Sequence, residues 1–215
     1  MLRYELLADL FLYPSEEAKA KINMVQKYLD DNFQNLSDSL SEFSEFVNTT
    51  SLKKWEEIYT RTFDVQAITT LDLGYVIFGD DYKRGELLVN LSKEHTKAGN
   101  DCGTELADHL PNVLRLINKT ADVELKHDLI YYIIMPALLK ILSDFNKETI
   151  DKKIKIYEKH HRTIIEQNES KGLIYQKPLQ TILEIIKIEF PEKRITLPNE
   201  KELSEEITNE LEIQS

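Results

Sequence analysis

The chain has 215 residues, 41% hydrophobic and 30% charged, with 27 basic against 38 acidic residues and a formal net charge of −11. That length suits one domain with a continuous core, and the apolar content excludes a disordered chain. The negative field opposes a phosphate backbone, which excludes nucleic acid as the main partner and suits a basic one, such as a peptide carrying Arg or Lys.

In chain order, Leu2, Leu6, Leu7, Leu10 and Phe11 recur at helical spacing and predict a first helix that stops near Tyr13-Pro14. Ser15 is placed to cap a second helix that turns Ile22, Val25 and Leu29 inward. Phe43, Phe46 and Val47 suggest a short third helix. Ser51 starts a fourth, with Trp55, Ile58, Tyr59 and Thr62 on one face. Val65 to Thr70 reads as an extended connector. A helix from Asp81 to Lys97 buries Leu87, Leu88 and Leu91 and ends at Gly99. Asp108 suits the N-cap of the next helix, with Pro111 in its first turn. Glu124 to Phe145 reads as a central buried helix, kinked or broken at Pro136. Asn146 opens a long amphipathic helix running to Ser170, and Pro178 opens the last one, which ends at Phe190-Pro191. The expected fold class is therefore all-α, a single-domain helical bundle over residues 1–198. Beyond it lies an acidic tail, 199–215, where Glu200 to Glu212 carries six acids against Lys201 alone.

The chain opens Met1-Leu2-Arg3-Tyr4-Glu5 with Asp9 soon after, which lacks the basic start and unbroken apolar run of a secretory signal. The richest apolar stretch, Leu129 to Leu142, is too short to span a bilayer and contains Pro136 and Lys140. A soluble, cytoplasmic protein with no stable membrane insertion is the expectation. Cys102 is the only cysteine, which excludes an intrachain disulfide and a cysteine metal cluster. His160-His161 with Glu158 and Glu166 offers metal-ligand side chains, but adjacent helical residues point about 100° apart and five cations surround them. A solvated face is the better reading. His95 and His127 have no second ligand at helical spacing, so packing or surface roles are expected and no metal or cofactor is assigned.

Two polar clusters between helices resist so plain a reading. One is Gly79-Asp80-Asp81-Tyr82-Lys83-Arg84-Gly85, which follows Tyr75-Val76-Ile77-Phe78. The other is Glu105-Leu106-Ala107-Asp108-His109-Leu110-Pro111. Asp80 and Asp108 each suit a helix cap, worth about 1 kcal/mol, and Arg84 suits a partner at Asp64, Asp80 or Glu105. Packed side by side, the two helices bring Arg84, Asp108 and His109 to one groove over Tyr59, Phe63 and Phe78. Such a groove fits a short peptide: apolar side chains below, carboxylates for its arginines, helix ends at the rim. Two alternatives stand beside it. One is a helical regulatory or scaffold protein that binds another folded protein, the clusters serving only as caps. The other is an enzyme using His109 with Asp108 as a base pair, a poor geometry for neighbours at a helix start.

At these residues the chain resembles a known family. Tyr59-Thr60-Arg61-Thr62-Phe63-Asp64 is similar to its Tyr-x-x-x-Phe-Asp segment. Tyr75-Val76-Ile77-Phe78-Gly79-Asp80, Lys83-Arg84-Gly85-Glu86 and Glu105-Leu106-x-Asp108-His109-Leu110-Pro111 follow in the expected order. Together they resemble the nitrate reductase delta-subunit chaperones of the NarJ type, which belong with TorD and DmsD among the redox-enzyme maturation proteins. The clear likeness covers about residues 50 to 117. It departs at Ala107, where the family pattern Glu-x-Pro-Asp-His has proline, which implies a less rigid loop before Asp108.

The resemblance implies a TorD/NarJ-like helical bundle without enzymatic activity and without a cofactor of its own. Its partner would be the catalytic subunit of a molybdenum enzyme, bound through an N-terminal peptide that is a twin-arginine signal or its remnant. The chaperone would hold that subunit while the molybdenum cofactor and an iron–sulfur cluster are inserted, before assembly or export. Molybdenum-cofactor biosynthesis proteins join the partners so implied, and a nitrate-reductase-like enzyme is the default client. Carried across, the peptide-binding candidates are Tyr59, Phe63, Asp64, Tyr75, Phe78, Asp80, Arg84, Glu105, Asp108 and His109.

Overall fold

The computed structural model describes residues 3–146, 148–150 and 172–191, and within them the chain is all-α. Helix α1 (Arg3–Ala8) runs into a 3-10 turn, Asp9–Phe11, and is followed by α2 (Glu16–Asn32), α3 (Gln34–Thr49) and α4 (Leu52–Phe63). The short α5 (Leu73–Phe78), α6 (Tyr82–Lys97) and α7 (Leu110–Lys119) come next. Then follow α8 (Val123–Asp128), a π-helical segment Leu129–Ile134, α9 (Met135–Asp144), a 3-10 turn Gly172–Tyr175 and α10 (Gln176–Glu189). No strand occurs among the described residues; an isolated antiparallel bridge joins Asp72 to His109.

Local chemistry accounts for most boundaries. The Ser15 hydroxyl accepts the Ala18 N–H at 3.0 Å and starts α2, whose Ile22, Val25 and Leu29 are fully buried. Gly99, at φ 61°, ends α6 in the left-handed region that glycine tolerates. Helix α3 is longer than its Phe43-Phe46-Val47 face suggested. Its Ser-, Asn- and Asp-rich first half has weak helix propensity, but Leu40 is buried and the Ser37 hydroxyl accepts from Gln26 at 2.9 Å and pairs with Asp30. Tertiary contacts override propensity there. The central segment is helical without a gap from Val123 to Asp144, as expected, but its middle turn is not α-helical. Pro136 has no N–H and its ring crowds the carbonyl one turn back, so the preceding turn widens and Met135 N–H reaches Ile130 O, five residues away.

Helix α1 packs on α7, α2 on α3, and α10 against both α3 and α9, while α5 lies against α9. At the centre, buried Trp55 donates its indole N–H to the Tyr175 hydroxyl at 2.8 Å, which satisfies the polar atoms of both rings. Tyr175 also meets Phe43, Tyr59 and Phe63 edge-on or tilted at 4.9 to 5.8 Å between centroids. Burial pushes the Tyr175 hydroxyl well above the ordinary phenol range, so it serves as a neutral strut. The long helix expected through Ser170, with His160-His161, and the acidic tail from 199 lie outside the described residues. Among the described residues, no helix is long and apolar enough to cross a membrane.

Candidate functional site

The connector from α4 to α5 and the loop before α7 run antiparallel for a few residues. Leu73 N–H donates to Asp108 O at 3.0 Å, and Leu110 N–H to Leu71 O at 2.8 Å. This short bridge brings residues 37 positions apart into one polar network. Asp108 is fully buried, and its Oδ2 accepts from Gly74 N–H and from Arg84 Nε, each at 3.1 Å. Arg84 then reaches Asp72 Oδ2 with its terminal nitrogen at 3.0 Å, and Asp72 Oδ1 faces His109 Nδ1 at 3.1 Å. The Arg84 guanidinium also stacks over the Tyr75 ring at 5.2 Å. Burial pushes the Asp72 carboxyl up, but the hydrogen bonds and charges of His109 and Arg84 outweigh it and hold that carboxyl below its ordinary value. Gly74 makes the approach possible: a Cβ there would sit 2.7 Å from Asp108 Oδ2 and 3.0 Å from Leu87.

Beside this network lies a groove of about 560 Å³. Tyr13, Tyr59 and Phe63 form its aromatic wall, Tyr59 meeting Tyr13 at 5.4 Å and Phe63 at 5.2 Å. Tyr59 is held by its hydroxyl, which donates to Phe11 O at 3.1 Å; burial raises that hydroxyl above the phenol range. Asp64, Asp72, Glu105 and His109 supply the polar side. Burial and the charges of Glu105 and Asp72 push the Asp64 carboxyl up, with His109 opposing them, and Asp64 and Glu105 both line the groove. Arg115 also lines the groove, but Asp9 at 3.2 Å and Glu5 at 3.8 Å hold it.

The loop carrying Glu105 is tied down from beneath. Buried His95 has Nε2 2.9 Å from Ala107 O, which can only accept, so the ring is protonated there and Nδ1 accepts from Asn100 at 2.8 Å. Asn112 donates to Cys102 O and Leu106 O at 3.3 and 3.1 Å. Where proline was expected, the Ala107 carbonyl is thus pinned by His95, and the packing role anticipated for that histidine is the one it has.

Of the ten sequence candidates, Tyr59, Phe63, Asp64, Glu105 and His109 line the groove. Asp108 and Arg84 do not: Asp108 is buried behind the wall, and Arg84 pairs with Asp72 and Asp108 rather than with Asp64, Asp80 or Glu105. Tyr75 is exposed and stacks on Arg84, and Phe78 is half-buried; neither lines the groove. Asp80 is exposed, and the residue that caps α6 is Asp81, which accepts Lys83 N–H at 3.0 Å. Asp108 is likewise no side-chain cap; His109 occupies the N-cap of α7, and Asp108 Oδ2 accepts from Gly74 and Arg84 instead.

Sequence reasoning missed Asp72 and Tyr13. Asp72 sits in a connector without periodicity, and its partners are remote in sequence; Tyr13 read only as a helix stop. A second hollow, about 310 Å³, lies at the far side among Arg3, Tyr4, Ile117, Asn118, Lys126, Glu189 and Phe190. Its acid is already engaged, since Glu189 pairs with Arg3 and accepts from the Tyr4 hydroxyl at 2.6 Å. Among the described residues no group of His, Cys, Asp and Glu is arranged to hold a metal. Comparison with protein-family models and with curated proteins finds no match.

Proposed function

We propose that this protein is a peptide-binding chaperone of the NarJ/TorD type. In this reading it holds the N-terminal segment of a molybdenum-enzyme catalytic subunit while that subunit receives its cofactor. The observation that supports this most is the groove itself, an aromatic wall of Tyr13, Tyr59 and Phe63 facing Asp64 and Glu105. Its volume of about 560 Å³ admits a few side chains rather than a folded surface. A basic residue of the peptide pairs with the two acids and offsets the burial and the Glu105 charge that raise the Asp64 carboxyl. An apolar neighbour in the peptide seats against the aromatic rings. The order of the Tyr59–Asp64, Tyr75–Asp80, Lys83–Glu86 and Glu105–Pro111 segments supports the choice of client class.

Calorimetric titration with about the first thirty residues of the neighbouring gene's molybdoenzyme subunit tests this. Micromolar or tighter binding is expected, weakened at least tenfold when the peptide's arginines and lysines become glutamate, about 1.4 kcal/mol or more. Equal affinity for the charge-reversed peptide would overturn the pairing, and no binding to any such N-terminus would overturn the chaperone reading.

A further inference from the structure

His109 is a groove residue whose tautomer is set by a neighbour. Its Nδ1 lies 3.1 Å from Asp72 Oδ1, the ring is mostly buried, and it lines the groove. A carboxylate can only accept, so that contact requires a proton on Nδ1. In the neutral imidazole the other nitrogen, Nε2, is then an acceptor, and it has no partner among the described residues. Asp72 is itself immobilised, because Oδ2 is held by Arg84 at 3.0 Å and Arg84 by buried Asp108 at 3.1 Å. The chain Asp108–Arg84–Asp72–His109 therefore ends on a ring of defined tautomer at the groove wall.

We propose that Asp72 is a positioning residue of the groove: it fixes His109 as the Nδ1–H tautomer and so makes Nε2 a hydrogen-bond acceptor for an N–H group of the bound peptide. This rests on the peptide-binding reading of the groove. It explains why an aspartate stands in a connector where any short polar residue would satisfy the turn. It also gives the buried Arg84–Asp108 pair a consequence at the surface. The same relation, a carboxylate orienting a histidine through one nitrogen so that the other can act, is a general device for fixing imidazole tautomers.

Asp72→Asn separates this from a merely structural role. Arg84 offers only N–H groups, so the asparagine oxygen stays with Arg84 and its amide N–H₂ turns to His109 Nδ1, which forces the proton to Nε2. Imidazole ¹⁵N spectra of the full-length protein at about pH 8, above the ordinary histidine range, should show Nδ1–H in the wild type and Nε2–H in Asp72→Asn. Peptide affinity should fall at least tenfold in Asp72→Asn and in His109→Ala, and no further in the double variant, since one residue acts through the other.

An Nε2–H tautomer in the wild type, or the same tautomer in both proteins, would overturn the proposal. So would additive losses in the double variant, which would mean that Asp72 meets the peptide directly. Binding with an unmoved tautomer would overturn this proposal and leave the peptide-binding reading of the groove standing. A wild type that binds no peptide would remove the acceptor role together with the reading of the groove.

Discussion

The Trp55–Tyr175 core and the Asp72–Arg84–Asp108–His109 bridge are held together in opposite ways. The core is a set of rings whose burial is nearly indifferent to direction, with hydrogen bonds from Trp55 to Tyr175 and from Tyr59 to the Phe11 carbonyl to neutralise its polar atoms. The bridge is small and almost wholly directional: each of Asp72's carboxylate oxygens has one named partner, and Asp108 Oδ2 has two. A core of the first kind tolerates reshaping and loses stability in proportion to volume. A network of the second kind fails all at once when a partner is removed, because a buried charge remains. The proposed function rests on the bridge, where fixed polar atoms reach the groove.

The largest effect should come from the core. Trp55→Ala removes a fully buried indole and should cost about 3–5 kcal/mol, measured by urea unfolding. Trp55→Phe, which keeps most of the ring volume, should cost clearly less. Equal losses would mean that the hydrogen bond to Tyr175, not packing, dominates the centre.

Arg84→Met tests the bridge. It leaves the Asp108 carboxylate buried opposite a thioether and should cost about 3 kcal/mol. Adding Asp108→Asn should recover much of that loss, whereas two core truncations that share no contact should simply add. A double variant as unstable as the sum of its parts would contradict the view that the bridge acts as a unit.

Acid sharpens the comparison further. Burial depresses His95 below the ordinary histidine value, although the Ala107 carbonyl opposes it and Lys119 adds to it. Both states are neutral above about pH 6.5, so its share of stability is complete there. Below that pH the unfolded chain takes a proton the folded one refuses, and stability should fall by at most about 1.4 kcal/mol per pH unit. Thermal melts from pH 7.5 to 5.5 should show this slope, and His95→Gln should flatten it. Asp72, whose folded value is depressed, contributes stability above the ordinary carboxylate range that is lost only as pH falls through and below it, near pH 4 and under.

The smallest effect has the most pointed sign. Because burial and the nearby charge of Glu105 both disfavour the ionised Asp64 carboxyl, Asp64→Asn should raise stability slightly, by a few tenths of a kcal/mol after solvent screening, while weakening peptide binding. A melting point that falls together with affinity would argue that Asp64 is a structural residue.

Much of this was readable in the chain. Ile22, Val25 and Leu29 on α2 and Trp55, Ile58, Tyr59 and Thr62 on α4 announced their faces by spacing, because burial follows helical periodicity. Boundaries set by local chemistry, at Ser15 and Gly99, were equally plain. Pro136 signalled a disturbance but not its form, since a proline can end, kink or widen the preceding turn, and here it widens Leu129–Ile134. The groove was half visible: Tyr59, Phe63, Asp64, Glu105 and His109 were recognisable as unusual residues at helix junctions. Asp72 was not, and Asp80 and Asp108 were each credited with a cap they do not make. A side-chain hydrogen bond between residues 37 apart leaves no periodic trace, and neighbouring aspartates such as Asp80 and Asp81 look alike until the backbone N–H they face is known.

The most direct test of the groove is to titrate the full chain with the N-terminal peptide of the proposed molybdoenzyme client and follow backbone amide shifts. The account expects the largest changes at Tyr13, Phe63, Asp64, Thr70, Glu105 and His109, with Arg3, Tyr4 and Phe190 at the far hollow unmoved. Shifts centred on Arg3, Tyr4 and Phe190, or none at all, would contradict it.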